Sequence, residues 1–251
     1  MKKNNLKHKD LVLFDVDGTL TKSRLTIEQP MIDMIHKLIE LDNVDIGIVG
    51  GSNLAKQREQ LGDQILDLFD WTFSENGLMA FKAGELINET SIKDFLGEEK
   101  IGELINTVLE HFSTIKLPVK RGTFIEFRNG MINICPVGRS CSQKEREEFF
   151  ELDQKEGIRK KIVEYLKNKL SHLGLSYSIG GQISIDVFPK GWDKTYCLQF
   201  VDDKYDDIYF FGDRTMEGGN DYEIYSHPRT KSYAVEQPSD TLKYLNEIFF
   251  E

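Results

Sequence analysis

The chain has 251 residues, 39% of them hydrophobic and 29% charged, which is enough to bury a sizeable core in one or two domains. Its net charge of -10 argues against nucleic acid or an anionic membrane as the main partner, because both are polyanions. No apolar run approaches the length of a transmembrane helix, and the N-terminal segment lacks the apolar stretch of a secretory signal. Cys135, Cys141 and Cys197 show no Cys-x-x-Cys spacing and cannot all pair, which favours a reduced, cytosolic location.

The first predicted element is a short buried strand at Leu11–Phe14, which is followed by Asp15, Asp17, Gly18 and Thr19. In an open α/β sheet, ligands bind just beyond the carboxyl ends of the strands, and these residues fall there. Two carboxylates this close repel each other unless a cation lies between them. The pair therefore indicates a hard, oxygen-binding ion such as Mg²⁺.

A helix and a second strand follow this motif. Thr26–Gln29 has the pattern of a capping box, and Pro30 would lie in the first turn of the helix that it opens. Val44–Val49 predicts the second strand, and Gly50-Gly51 and Ser52 come between it and the next helix. Such a turn suits phosphate, because N–H groups point outward and the helix dipole favours an anion. An ordinary helix cap is the alternative interpretation of Ser52.

The pattern changes in the middle of the chain. A strand near residues 71–73 is followed by a hairpin over residues 78–86, and then by clustered antiparallel strands and helices. An alternating βα start followed by such a cluster indicates an inserted α+β domain. We therefore predict an α/β core with a mostly parallel sheet, formed by residues 1–86 and 189–251. Residues 87–188 would form the insert, with an antiparallel sheet.

The insert contains the strongest hairpin signal in the chain, the Asn129-Gly130 dipeptide. A two-residue turn there pairs Glu126 with Asn133, so that Glu126, Arg128 and Asn133 share one polar face. The opposite face is apolar, and we expect it to pack against the helices of the insert. Its members are Ile125, Phe127, Ile132 and Ile134.

Three arginines lie near one end of this insert. Ser142–Glu145 predicts a second capping box, which opens a helix that carries Arg146. Together with Arg128 and Arg139, this residue indicates an anion clamp, because arginine binds phosphate in a bidentate manner. A further helix is predicted from about Ile158 to Leu173, with Gly174 as its stop.

Two more candidate residues lie at the end of the insert and just after it. Asp186 alternates with apolar residues of a strand, and its carboxylate could accept hydrogen bonds from sugar hydroxyls; a solvated strand face is the alternative. Asp193 could cap a helix and place Lys194 in its first turn, where the ammonium group could neutralise phosphate. A strand at Ile208–Phe211 follows, and Gly212 and Asp213 come directly after it.

Four motifs now occur in order, each at a strand end or a helix start, and together they resemble the haloacid dehalogenase (HAD) superfamily of phosphotransferases. The insert narrows this resemblance. Long segments of the chain closely resemble the eukaryotic phosphomannomutases: Gly122–Met131, Pro136–Cys141, Asp186–Lys194, Phe210–Asp213 and Gly218–Asp221. The resemblance covers the chain from about Asp10 to its C-terminus. It implies a HAD-like Rossmannoid core with an inserted cap domain.

The resemblance also implies an activity and its requirements. Members of the family interconvert mannose 6-phosphate and mannose 1-phosphate, which supplies GDP-mannose synthesis. They require Mg²⁺ and a hexose 1,6-bisphosphate activator, and they are cytosolic homodimers joined through the cap domain. Hexose phosphates would therefore be the ligands of this chain, through an aspartyl-phosphate enzyme.

Site residues follow from the resemblance, motif by motif. Asp15 would be the nucleophile that becomes phosphorylated, and Asp17 would be the general acid and base. Asp15, the backbone carbonyl of Asp17 and Asp213 would hold Mg²⁺, with Asp221 nearby. The residues implied to contact phosphate or sugar are Arg24, Ser52, Arg128, Arg139, Arg146, Ser184, Asp186 and Lys194.

One departure concerns a second, structural cation, which the family binds in a loop after the fourth motif. His227 stands where a carboxylate is common, and a neutral imidazole is a poor ligand for Mg²⁺, although its backbone carbonyl could serve. Tyr225 and Thr230 would be the other ligands. Three alternatives remain open from the sequence: a sugar phosphatase of the same superfamily, a mutase with substantial phosphoglucomutase activity, and a non-catalytic phosphosugar-binding protein.

Overall fold

The computed structural model of the protein describes residues 9–251, which form two compact units. The core unit comprises the described residues up to Glu89 together with Gly191–Glu251, and the inserted unit comprises Thr90–Lys190. The second strand of the predicted 78–86 hairpin continues to Glu89, so the core unit extends beyond residue 86. Among the helices of residues 9–251, none combines the length and the apolar composition of a membrane-spanning segment.

A seven-stranded sheet organises the core unit. Five parallel strands are extended at one edge by an antiparallel pair. In their order across the sheet, the strands are β11 (Thr230–Ala234), β10 (Asp207–Gly212), β1 (Asp10–Phe14), β2 (Val44–Val49), β3 (Trp71–Ser74), β4 (Met79–Lys82) and β5 (Glu85–Glu89). The alternation of β-strands and helices predicted from the sequence is thus confirmed as an α/β fold.

Helices pack against this sheet, and β1 is buried along its whole length. The helices of the core unit are α1 (Gln29–Ile39), α2 (Leu54–Leu61), α3 (Ile65–Leu68), α7 (Tyr222–Tyr225) and α8 (Pro238–Phe249). Val12 and Phe14 join a hydrophobic cluster with residues of α1 and α8, whereas Leu11 and Leu13 join a second cluster with β3 and α7. The continuous apolar sequence of β1 reflects this burial of both faces.

The predicted capping box at Thr26–Gln29 is wrong. Helix α1 begins at Gln29, with Glu28 at the capping position and no side-chain cap. Starting at Thr26 would place Pro30 at the fourth helical position, where the backbone N–H must donate to the capping residue, and proline has none. Beginning the helix at Gln29 keeps Pro30 in the first turn.

The inserted unit has a separate four-stranded antiparallel sheet, as predicted. The helices are α4 (Ile92–Thr114), α5 (Gln143–Glu156) and α6 (Ile158–Lys169), and the strands, in sheet order, are β6 (Ile125–Phe127), β7 (Ile132–Ile134), β9 (Ser184–Pro189) and β8 (Leu175–Gly180). Glu126 pairs with Asn133, which confirms the predicted register. Asn133 in turn pairs with Asp186, and Asp186 with Ser178, so one polar row crosses all four strands.

Two details of the insert differ from the prediction. Ile132 and Ile134 are fully buried, but Phe127 is 50% exposed because β6 is an edge strand with a neighbour on one side only. The helix predicted to reach Leu173 ends at Lys169, and a short 3₁₀ turn completes the segment. Gly174 then ends it in the left-handed conformation that glycine favours.

Candidate active site

The carboxyl ends of β1, β2 and β10 meet at one edge of the parallel sheet, and the loops that follow them carry the predicted motifs. Asp15 follows β1 and Asp213 follows β10. The two loops approach closely at Gly18, which has φ +79°. A Cβ atom there would lie 2.4 Å from Asp213 Oδ2, so only glycine lets the loops come this close.

A buried cluster of charges lies at this edge. The ammonium group of Lys194 donates to Asp15 Oδ1 and to Asp221 Oδ1, and the three residues are 1%, 4% and 0% exposed. Lys194 opens a short 3₁₀ helix that is capped by Asp193, as the sequence predicts. The backbone N–H of Arg214 donates to Asp221 Oδ2 at 3.0 Å and fixes the second carboxylate.

Burial governs the electrostatics of this cluster. Burial raises the pKa of Asp15 to about 7, against the opposing attraction of Lys194. The pKa of Asp213 is also raised, first by burial and then by the charge of Asp221. Burial alone would lower the pKa of Lys194, but the Asp15 and Asp221 carboxylates hold it above its usual value. Lys194 is therefore a fixed positive charge between two carboxylates.

The carboxylates of this cluster could hold a metal ion. Asp15, Asp213 and Asp221 each offer an oxygen, and these atoms lie within 4.8 Å of one another. Asp213 Oδ1 is buried and has no hydrogen-bond partner among residues 9–251. Three carboxylates facing one ammonium group leave an excess of negative charge, and oxygen donors suit a hard divalent cation. The sequence predicts Asp221 only near the metal ligands, whereas in the structure its carboxylate belongs to the cluster itself.

The side chain of Asp17 has different partners. Its Oδ1 accepts hydrogen bonds from the backbone N–H of Arg24 at 2.7 Å and from Gln60 Nε2 at 2.8 Å. Arg24 is exposed and has φ +63°. The participation of the Asp17 backbone carbonyl in metal binding stays a prediction.

Asp15 and Asp17 line one pocket together with Ser52 from the loop after β2. Gln57 and Gln60, from α2, complete its lining on that side. Neither glutamine was singled out from the sequence. A signal was nevertheless available, because both lie three residues apart on the stripe of α2 that faces inward, where apolar residues are the rule.

A second polar network lies in the inserted unit and brings together most of the residues predicted there. Arg128 Nε donates to Glu126 Oε2 at 2.7 Å, and Arg139 donates to Asn133 Oδ1 at 2.8 Å. Asn133 donates in turn to Asp186 Oδ1 at 2.6 Å.

Two further predicted residues of the insert, Arg146 and Ser184, donate hydrogen bonds to backbone carbonyls. Arg146 donates to the backbone carbonyl of Arg139 at 3.1 Å, and Arg139 Nε lies 3.4 Å from Oε1 of Glu126, the partner of Arg128, so that all three predicted arginines share one network. Ser184 lies two residues from Asp186 on β9, and its hydroxyl donates to the carbonyl of Gly180. Glu126 and Asn133 connect the network, although the sequence alone assigned them no role.

The predicted second cation loop is a hydrogen-bonded turn. The hydroxyl of Thr230 donates to the carbonyls of Ile224 at 2.6 Å and His227 at 3.0 Å. The His227 carbonyl, which was the alternative ligand there, thus already accepts a hydrogen bond within its own loop. Cation binding by Tyr225, His227 and Thr230 stays a prediction.

Comparison with known sequences identifies relatives across nearly the whole chain. The profile of the family described as eukaryotic phosphomannomutase matches residues 31–251. The chain is 55% identical over 243 residues to phosphomannomutase 1 of Dictyostelium discoideum, covering 96% of this chain and 97% of the relative. It is 53% identical over 244 residues to the phosphomannomutase of Saccharomyces cerevisiae, covering 97% and 95%.

Comparison with solved structures shows the fold. The chain resembles the IMP-bound, N-terminally truncated IMP-nucleotidase of Plasmodium falciparum with a TM-score of 0.61 at 16% identity, covering 98% of this chain and 69% of that one. It resembles the C-terminal domain of the trehalose-6-phosphate phosphatase of C. albicans with a TM-score of 0.60 at 15% identity, covering 96% and 91%. At such low identity these likenesses establish the architecture alone.

The α/β architecture, with carboxylates at the carboxyl edge of its parallel sheet, is the HAD fold, and the curated relatives show that the chain is an enzyme. Within that superfamily, the match over residues 31–251 and the relatives at about half identity give a narrower assignment. The chain belongs to the eukaryotic phosphomannomutase family.

Proposed function

We propose that the protein interconverts mannose 6-phosphate and mannose 1-phosphate through a phosphorylated Asp15 and a hexose 1,6-bisphosphate. The observation that carries the proposal is the position of Asp15, which is buried beside Lys194 at the end of β1 and lines a pocket with Asp17 and Ser52. Identity of 55% and 53% to curated phosphomannomutases over nearly the full chain supports the same substrates.

In the proposed mechanism, a carboxylate oxygen of Asp15 attacks the phosphorus of the bisphosphate, and the bond from phosphorus to the sugar oxygen breaks. Asp17 donates a proton to that oxygen, and in the reverse step it removes a proton from the attacking hydroxyl. Lys194 and Ser52 would hold the transferred phosphoryl group. Mg²⁺, held by Asp15, Asp213 and the Asp17 carbonyl with Asp221 beside them, would supply further positive charge for the phosphoryl oxygens.

The inserted unit would bind the part of the substrate that does not react. A mutase must phosphorylate either end of a hexose, so the bisphosphate must reorient between half-reactions while one phosphate stays bound. Arg128, Arg139 and Arg146 would bind that phosphate, and the oxygens of Ser184 and Asp186 would bind sugar hydroxyls. Arg24, in the core unit, is proposed as a separate contact to substrate phosphate. Dimerisation through this unit, a cytoplasmic location and a role in GDP-mannose synthesis belong to the same proposal.

Phosphorus NMR tests the function directly. Mannose 1-phosphate is incubated with the protein and Mg²⁺, with and without a trace of glucose 1,6-bisphosphate. We expect mannose 6-phosphate to form only when the bisphosphate is present, because the bisphosphate supplies the phosphoryl group to Asp15. No conversion with the bisphosphate present would contradict the proposal and return the non-catalytic alternative.

The same spectra test the phosphatase alternative that the sequence left open, because one fold can carry either activity. Release of inorganic phosphate as the main product would mean that water reaches the aspartyl phosphate, and would replace the mutase by a phosphatase. Glucose 1-phosphate, offered in place of the mannose compound, measures the phosphoglucomutase activity that the sequence left open.

Binding of Mg²⁺ has its own prediction. We expect millimolar Mg²⁺ to raise the melting temperature of the protein and EDTA to reverse the rise, because the ion binds the folded cluster and not the unfolded chain. In the Asp213→Asn variant the rise should be largely lost, since the carboxylate oxygen with no partner is removed. The matched control is Asp33→Asn on the exposed side of α1, which should keep the full Mg²⁺ effect. An equal rise in the wild type and Asp213→Asn would place the ion elsewhere.

Arg146→Ala tests the anion clamp. We expect kcat/KM for mannose 1-phosphate to fall by roughly 100-fold, because a charge-assisted phosphate contact is lost. Arg121→Ala is the matched control, since Arg121 is a more exposed arginine of the same unit that pairs with Glu145. Its kcat/KM should stay within about twofold of the wild type. An unchanged kcat/KM in Arg146→Ala would remove that residue from the site.

A further inference from the structure

Arg159, in the inserted unit, is buried, and the proposed mechanism does not use it. Arg159, in the first turn of α6, is only 2% exposed, and Asp153, near the end of α5, is 7% exposed. Arg159 Nε donates to Asp153 Oδ2 at 2.7 Å, and the Arg159 backbone N–H donates to Asp153 Oδ1 at 2.7 Å. Even a well hydrogen-bonded buried ion pair adds little net stability, so stability alone does not account for its placement.

The other end of the Arg159 side chain binds the turn between β8 and β9. Arg159 Nη1 lies 3.1 Å from each of three backbone carbonyl oxygens, those of Gly180, Gly181 and Ser184. One guanidinium thus binds both ends of the three-residue connection, residues 181–183. Charged donors make stronger hydrogen bonds than neutral ones, so the turn is held in one conformation.

That turn determines the surroundings of Asp186. The hydroxyl of Ser184 donates to the same Gly180 carbonyl that Arg159 binds. A Cβ atom added at Gly180 would lie 3.1 Å from Asp186 Oδ2. Asp186 Oδ1 is already engaged by Asn133, so Oδ2 is the oxygen whose surroundings depend on the turn.

We propose that Arg159 is a positioning residue that fixes the β8–β9 turn, and through it the hydrogen-bonding geometry that discriminates one epimeric hexose phosphate from another. The inference rests on the proposed function, in which Ser184 and Asp186 bind sugar hydroxyls. It adds the residue that holds them in place. A site built to hydrogen-bond a hydroxyl discriminates only while its own groups stay fixed.

Arginine is required for this task because of its shape. Its planar guanidinium has five donors in a fixed arrangement, which can reach a carboxylate on one side and carbonyls on the other. A lysine at the same position keeps the charge but has a single nitrogen. In Arg159→Lys the buried charge therefore remains, while the bonds to Asp153 and to the turn can no longer be made together.

The experiment compares kcat/KM for mannose 1-phosphate and for glucose 1-phosphate in the wild type and in Arg159→Lys. We expect the ratio of the two values to move toward unity by about fivefold or more, the order of one lost hydrogen bond. Arg229→Lys is the matched control. Arg229, in the core unit, also donates its guanidinium to backbone carbonyls, those of Asp202 and Asp206 among them. The ratio of the two kcat/KM values should be unchanged in Arg229→Lys, even if its melting temperature falls by as much as that of Arg159→Lys.

A second variant tests the proposal even if Arg159→Lys fails to fold. Gly180→Ala leaves the Arg159–Asp153 pair intact and adds a methyl group against Asp186 Oδ2, and we expect it to shift the same ratio. An unchanged ratio in both Arg159→Lys and Gly180→Ala, or an equal shift in Arg229→Lys, would overturn the proposal. If the wild type converts neither sugar, the proposed function has failed. In that case, calorimetric titration with mannose 1-phosphate tests the role of Arg159 separately. Equal affinities of the wild type and Arg159→Lys for this ligand would contradict positioning by Arg159.

Discussion

Replacing Asp15 by asparagine is expected to lower the mutase activity by at least about ten-thousandfold. The amide has almost the same shape as the carboxylate but is not a nucleophile toward phosphorus, so no aspartyl phosphate can form. Asp15 is nearly fully buried, and its carboxylate contacts Lys194 and lines the pocket with Asp17 and Ser52. The measurement is the initial rate of mannose 6-phosphate formation with Mg²⁺ and glucose 1,6-bisphosphate.

Two further observations make this test specific to the nucleophile. The wild type, incubated with bisphosphate labelled in the phosphate, should retain label that hydroxylamine releases, as expected of an acyl phosphate; Asp15→Asn should retain none. The melting temperature of Asp15→Asn should show that the variant is folded. Turnover near the wild-type rate, or an equal amount of hydroxylamine-sensitive label in the variant, would show that another group is phosphorylated.

The second large effect is expected for Lys194→Met, which should lower both stability and activity. Lys194 is 1% exposed and holds the carboxylates of Asp15 and Asp221. Without the ammonium group, two buried carboxylates face each other with no positive partner, and breaking a buried ion pair in this way costs about 3–5 kcal/mol. Denaturant unfolding in EDTA measures this change in the free energy of unfolding. Added Mg²⁺ should recover part of it, because the cation neutralises the same carboxylates.

The matched control is Lys231→Met. Lys231 also pairs with an aspartate, Asp207, but its side chain is 54% exposed. Exposed pairs contribute little, so the loss in this variant should stay below about 1 kcal/mol. Equal destabilisation by the two substitutions would contradict the importance assigned to the buried cluster. Unchanged activity in Lys194→Met would show that the residue has a structural role only.

Much of the site was visible in the sequence because its determinants are local. A buried strand that ends in Asp15 and Asp17, a helix start at Lys194 and a strand that ends before Asp213 each occupy a few consecutive residues. Once parallel strands are expected, their carboxyl ends must lie at one edge of the sheet, and the motifs must meet there. The resemblance to a known family added the chemical roles, which spacing alone does not provide.

The predictions that proved wrong depended on parts of the protein outside the short segment from which each was made. Thr26–Gln29 matches the sequence pattern of a capping box, but the position of Pro30 decides where α1 begins. Phe127 follows the apolar pattern of its hairpin, yet the order of the strands leaves it at an edge of the sheet. In both cases the local residue pattern is present, but the start of the helix and the burial of the side chain are decided by neighbouring residues or strands.

The sequence by itself therefore determined the strands, the polar and apolar faces of the hairpin, and the acidic motifs, because these follow from the identity and the period of adjacent residues. Only the tertiary structure decided which side chains meet across long separations: Lys194 with Asp15, Gln60 with Asp17, Asn133 with Asp186, and Arg159 with the turn at Gly180. Their meeting depends on which strands become neighbours and on how deeply each charge is buried. Burial also sets the strength of those contacts, since a charge that water no longer screens must be satisfied by the residues that the fold places beside it.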